Sequence, residues 1–100
     1  MNSCVNITRA GTWVDKSGTI ATGGAAQTAV PENLARSYLF IQNNSAGDLW
    51  FNAGVTAVAS QPSIKLVAGA SIAYDASFVP RTLISIIGAT TAQTFTIKEA

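Results

Sequence analysis

Acid–base chemistry in this chain of 100 residues would rest on five carboxylates, Asp15, Glu32, Asp48, Asp75 and Glu99, because there is no histidine. Imidazole is the side chain that titrates closest to neutral pH and the commonest metal ligand, so its absence removes both uses. Two carboxylates flanking a bond hydrolyse glycosides. The acids lie far apart in sequence, and Asp48 with Asp75 is the one pair to test against a fold. Asp48 follows Gly47 and Asp75 follows a predicted strand, which are ordinary turn positions for aspartate, so solvated turn residues are the expectation. The single cysteine, Cys4, has neither a second thiol for an intramolecular disulfide nor a histidine to activate it, and reads as a small buried apolar residue or a passive thiol. Gly23-Gly24 lacks the glycine spacing and following lysine of a phosphate loop, and no serine sits in Gly-x-Ser-x-Gly. The expectation is a protein that is not an enzyme, with no cofactor and no metal site.

Binding chemistry leaves two readings. Trp13, Tyr38, Trp50 and Tyr74, with Asn43, Asn44 and Asp48, are the aromatic, amide and carboxylate types that bind sugars on β-sandwiches. The same aromatics serve equally as core or subunit contacts, and that reading is preferred. The cations Arg9, Lys16, Arg36, Lys65, Arg81 and Lys98 are scattered, whereas a phosphate backbone is bound by clustered ones, so nucleic acid is not an expected partner. Charged residues make up only 11% of the chain, against roughly a quarter in typical domains. Little charge then opposes contact between surfaces, which favours a subunit partly covered by neighbours over an isolated monomer.

The elements that must position these residues are β-strands. Short runs rich in Val, Ile, Phe, Tyr and Thr predict strands over 26–30, 36–43, 48–52, 63–67, 70–75, 82–88 and 93–98. Turn residues separate them: Pro31-Glu32-Asn33, Asn44-Ser45-Ala46-Gly47, Gln61-Pro62, Ala68-Gly69, Val79-Pro80 and Gly88-Ala89-Thr90-Thr91. The turns at 44–47 and 68–69 are read as hairpins, with Gly69 supplying a positive φ. No apolar stretch keeps a helical period. Turn signals this frequent predict an all-β fold, a small antiparallel β-sandwich or barrel of about seven to eight short strands. Residues 1–25, rich in Gly, Ser and Thr, read as an extended N-terminal arm with one or two short strands, and residues 26–100 as the β-sandwich domain. No signal peptide or membrane-spanning run is visible, so a soluble protein made inside a cell is expected.

One property of the strands departs from a simple half-buried sheet. Tyr38-Leu39-Phe40-Ile41 and Leu49-Trp50-Phe51 are apolar at every position. A hairpin pairing Ile41 with Leu49 puts Leu39, Ile41, Leu49 and Phe51 on one face and Tyr38, Phe40 and Trp50 on the other; a slip of one residue still leaves large apolar groups on both. Leu83-Ile84-Ser85-Ile86-Ile87 behaves in the same way. Each such side chain left in water forgoes roughly 1.5–3 kcal/mol of burial, so a cover from the arm or from a second subunit is expected.

The run Arg36-Ser37-Tyr38-Leu39-Phe40-Ile41-Gln42-Asn43, then Asp48-Leu49-Trp50-Phe51-Asn52-Ala53-Gly54, then Leu66-Val67-Ala68-Gly69-Ala70-Ser71 resembles small β-rich virion structural proteins of tailed bacteriophages. The likeness covers roughly residues 20–100 and departs at Ala68, where a proline is expected before the turn glycine. The resemblance implies a non-enzymatic particle component carried in the virion: a head decoration (cement), minor capsid or tail-associated protein, homo-oligomeric and bound to capsid or tail subunits. The residues expected to split between core and contact surface are Tyr38, Phe40, Trp50 and Phe51, with Trp13 as an anchor in the arm. The alternative is a small carbohydrate-binding module, a receptor-binding part of a tail.

Overall fold

A computed structural model describes residues 13–100 as nine β-strands without a helix. The expectations for Cys4, Arg9 and the start of the arm lie outside the described residues. Among the described residues no helix is long and apolar enough to cross a membrane. The strands are β1 (Val14–Asp15), β2 (Gly18–Thr19), β3 (Gln27–Val30), β4 (Leu39–Asn43), β5 (Leu49–Ala53), β6 (Ile64–Leu66), β7 (Ser71–Tyr74), β8 (Ile84–Gly88) and β9 (Thr94–Glu99). They form two antiparallel sheets. In the first, β1 and β2 both lie along β9, followed by β4 and β7; the second runs β3-β8-β5-β6.

The pairs β2·β9, β3·β8, β4·β7 and β5·β6 nest one inside the next, as in one long antiparallel ribbon folded over on itself. Further pairing of β4 with β9 and of β5 with β8 closes each sheet. This is the strand order of a jelly roll, a double-sheet sandwich. Alternation along the strands explains why it closes. Leu39, Ile41, Phe95 and Ile97 of the first sheet face Val30, Leu49, Phe51, Ile84 and Ile86 of the second across a shared core. At roughly 1.5–3 kcal/mol for each large apolar side chain, this burial is the main force holding the sheets together.

The predicted strands all form, but two predicted hairpins do not. β4 and β5 lie in different sheets, as do β6 and β7, so the turns at 44–48 and 67–70 cross between sheets. Gly69 does take the positive φ expected of it, +80°. The alternation that suits a hairpin also suits two strands facing each other across a core, and here the second arrangement wins. The apolar division anticipated for pairing in register survives in altered form. Leu39, Ile41, Leu49 and Phe51 share the core, while Tyr38, Phe40 and Trp50 are half-buried outside it.

The chain itself supplies much of the second cover. Trp13 stacks at an angle on Tyr38, ring centroids 5.3 Å apart, and the Lys65 ammonium lies 5.7 Å from the centre of the Trp50 ring. The connection 54–63 folds over the outside of β8, where the Ala57 N–H donates to Ser85 Oγ at 2.9 Å and both residues are buried. From residue 13 onward the expected arm is the edge of the first sheet, and Ile20 joins the core.

Polar clamps hold both ends. At one, Arg36 is fully buried; its Nε donates to Glu99 Oε1 at 2.8 Å, Nη1 to the carbonyls of Pro80 (2.6 Å) and Thr82 (3.0 Å), and Nη2 to that of Pro31 (2.9 Å). Glu99 lies on β9 of the first sheet, and the three carbonyls lie in the loops that leave β3 and lead into β8 of the second. At the other end Asn43, also fully buried, donates from Nδ2 to the carbonyls of Gly47 (2.7 Å) and Leu66 (2.8 Å), tying the first sheet to β6 of the second.

Removing one partner of a buried ion pair strands the other, at a cost of about 3–5 kcal/mol. Arg36→Met is therefore expected to destabilise the fold by about that much in urea unfolding, with Glu99→Leu comparable. Because each substitution breaks the same pair, the double variant should lose clearly less than the sum. Strict additivity would mean that Arg36 acts through its carbonyl contacts alone.

Candidate functional site

The Arg36 clamp sets out one end of the sandwich. It fixes loop 31–38, and the Asn33 N–H donates to the Arg81 carbonyl at 2.9 Å, joining that loop to loop 75–83. Arg81 Nε donates in turn to the Arg36 carbonyl at 2.9 Å. On these anchored loops stand Leu34, 75% exposed, and Phe78, 77% exposed. A local turn presents Phe78: the Asp75 carboxylate accepts from the Ser77 N–H (3.1 Å) and hydroxyl (2.7 Å), and the Phe78 N–H donates to the Asp75 carbonyl (3.1 Å). The Phe78 ring leans on Tyr74 at a centroid distance of 6.1 Å. The register of β1 on β9 places Val14 opposite Glu99, bringing exposed Trp13 and Val14 to this end. Exposed Val55 and Leu83 join them, since the Gly54 N–H donates to the Leu83 carbonyl at 2.8 Å where β5 ends and β8 begins. Apolar side chains in water are thus concentrated at one end, on backbone that hydrogen bonds hold in place.

The five expected contact residues do not form one surface. Trp13 and Tyr38 meet at the apolar end, and Phe40 lies on the outside of the first sheet with Lys98 and Ala73 as cross-strand neighbours. Trp50 is on the outside of the second sheet, while Phe51, only 2% exposed, belongs to the core. Leu34 and Phe78 were not anticipated. Their sequence signal is a single large apolar residue inside a turn-forming run, Glu32-Asn33-Leu34-Ala35 and Asp75-Ala76-Ser77-Phe78-Val79-Pro80, where solubility gives no reason for one.

The sugar-type constellation also divides. Asn43 is consumed by the inter-sheet clamp, and Tyr74, opposite Leu39, packs against the core. Asp48 and Trp50 remain together at the end away from Arg36, with Asp48 Oδ2 3.4 Å from Lys65 Nζ. They border a pocket of about 330 Å³ with Ala59, Ile87, Thr90 and Gln93. Gln93 braces it: Oε1 accepts from the Thr90 N–H (2.9 Å), while Nε2 donates to Ser45 Oγ (2.9 Å) and the Asp48 carbonyl (3.2 Å).

Asp48 and Asp75 stand at opposite ends of the sandwich, since Asp75 follows the Tyr74 that pairs with Leu39, and Asp48 follows the turn beyond Asn43. They cannot flank one bond. Among the described residues no three of His, Cys, Asp and Glu gather into a metal-binding group. Asp48 and Asp75 are exposed in connections between strands, as expected, whereas the Glu99 carboxylate is buried against Arg36.

The Ser77 hydroxyl, then the Ser77 N–H, hold the Asp75 carboxyl below its ordinary value of 3.8. A lowered folded pKa contributes stability that is present above the unfolded value and lost as pH falls through the folded one. Ser77→Ala removes the larger contribution, so the Asp75 pKa should rise back toward 3.8 in a carboxyl-carbon NMR titration. An unchanged titration would show that the hydroxyl contributes nothing.

No family model, curated protein or solved structure matches this chain.

Proposed function

We propose that this chain is a non-enzymatic structural protein of a tailed-phage virion, binding capsid or tail subunits and stabilising the particle as a decoration, cement or minor capsid protein. The observation that carries the reading is the pair Leu34 and Phe78, exposed on loops that the Arg36 network holds rigid. Apolar anchors fixed before binding lose little entropy when a partner covers them, which is how interface hot spots gain their strength. The low charge of the chain favours the same use.

Two further features support the reading. Jelly rolls serve as viral capsid domains, although the fold also serves lectins and enzymes and does not choose among them. The residues carrying the resemblance to phage virion proteins build this sandwich: Arg36 and Asn43 clamp its two ends, and Leu39, Ile41, Leu49 and Leu66 fill its core. The separation of Asp48 from Asp75 supports the non-enzymatic part.

Particles purified from an infection in which the chain is made should contain it in a fixed ratio to the shell subunit by quantitative mass spectrometry. Absence from the particle overturns the proposal. Leu34→Ser with Phe78→Ser removes two anchors worth roughly 1.5–3 kcal/mol each, so binding to particles lacking the protein should weaken by about 100-fold or more. Thermal stability should hardly change, because both side chains are exposed in the free chain. Undiminished binding would show that the apolar end is not the contact.

A further inference from the structure

We propose that the pocket beside Trp50 binds one neutral sugar ring, as a site separate from the apolar end. The register sets its geometry. On β5, Trp50 stands between Lys65 of β6 and Ile87 of β8. Lys65 takes the β6 side, its ammonium 5.7 Å from the ring centre and 3.4 Å from Asp48 Oδ2. The pocket opens on the β8 side, where Trp50, Ile87, Ala59 and Ala89 supply apolar wall and Asp48, Thr90 and Gln93 supply polar rim.

Charge and size narrow the ligand. An organic cation would compete with Lys65, which already occupies the carboxylate and the indole. An anion would meet the Asp48 carboxylate, so a neutral molecule fits best. At about 330 Å³ the pocket is at the small end of ligand sites, suiting one ring rather than an extended chain. Among the described residues the Trp50 indole N–H, Asp48 Oδ1 and the Thr90 hydroxyl have no hydrogen-bond partner within the chain. They offer a donor, an acceptor and a group that is both, beside an aromatic wall. A pyranose presents the matching combination, an apolar C–H face with hydroxyls at its edge. Gln93 holds loops 44–48 and 89–93 in place beforehand, so little ordering accompanies binding.

The chain has two tryptophans, so Trp13→Phe leaves Trp50 as the sole indole. That variant is titrated with D-glucose, D-galactose, D-mannose and N-acetyl-D-glucosamine, following Trp50 emission and its indole N–H resonance. The expected result is a saturable change with at least one sugar and a dissociation constant of about a millimolar, as suits a ligand of this size. Asp48→Asn, at a side chain 47% exposed, should retain the fold and weaken that sugar at least about tenfold, as loss of a hydrogen bond to a charged acceptor does. No saturable response to any of the four sugars overturns the proposal. So does an equal response to glycerol, or one unaffected by Asp48→Asn. Particle binding by the apolar end is read separately and stands or falls independently.

Discussion

The buried ion pair of Arg36 with Glu99 is the constraint on which the rest of this sandwich depends. A guanidinium removed from water is tolerable only when it is paired and its donors are used, and here Nε meets the carboxylate while Nη1 and Nη2 reach three carbonyls. Those carbonyls belong to Pro31, Pro80 and Thr82, in segments leaving or entering strands, where no ladder satisfies them. A fold whose chain repeatedly crosses between sheets leaves many such groups at its ends. One planar, multidentate side chain answers several of them at once, which a lysine ammonium, a compact point charge, does less well.

The opposite end meets the same problem with amides. Asn43 and Gln93 each hold three partner residues drawn from two segments, and neither leaves a buried polar atom unsatisfied. Apolar burial joins the faces of the sheets, while hydrogen bonding at the two rims fixes how the loops leave them. The two proposed contacts rest on that division. Loops fixed from beneath can hold Leu34 and Phe78 in water without collapsing onto the core, and can keep an open pocket beside Trp50. The two ends thereby offer different chemistry, an apolar surface at one and a polar-rimmed pocket at the other.

Local pattern in the sequence specified a great deal. Thr94–Glu99 alternates as a half-buried strand does, Tyr38–Ile41 and Leu49–Phe51 are short apolar runs bounded by turn residues, and Gly69 occupies a turn that needs its positive φ. These features depend on neighbours within a few residues, so a linear reading reaches them. A period of two left each strand two choices of inward face, and the folded sandwich made the choice, turning Leu39, Ile41, Leu49 and Phe51 inward. Hairpin pairing failed across both 44–47 and 68–69; at the first, Asn43 turns inward to bind Leu66 and Gly47 as the chain crosses to the second sheet.

Partnership over long separations was decided in three dimensions. Arg36 reads as one of several scattered cations and Glu99 as a residue near the chain end, and 63 positions separate them. Nothing local distinguishes a charge that will be buried from one that will be solvated, because burial depends on which strands stack above it. Leu34 and Phe78 are the reverse case, apolar residues left outside because their loops are tied to polar anchors. Short-range backbone preference and side-chain alternation were written along the chain; sheet membership, charge pairing and the exposed apolar end arose from contacts that exist only after the ribbon has folded.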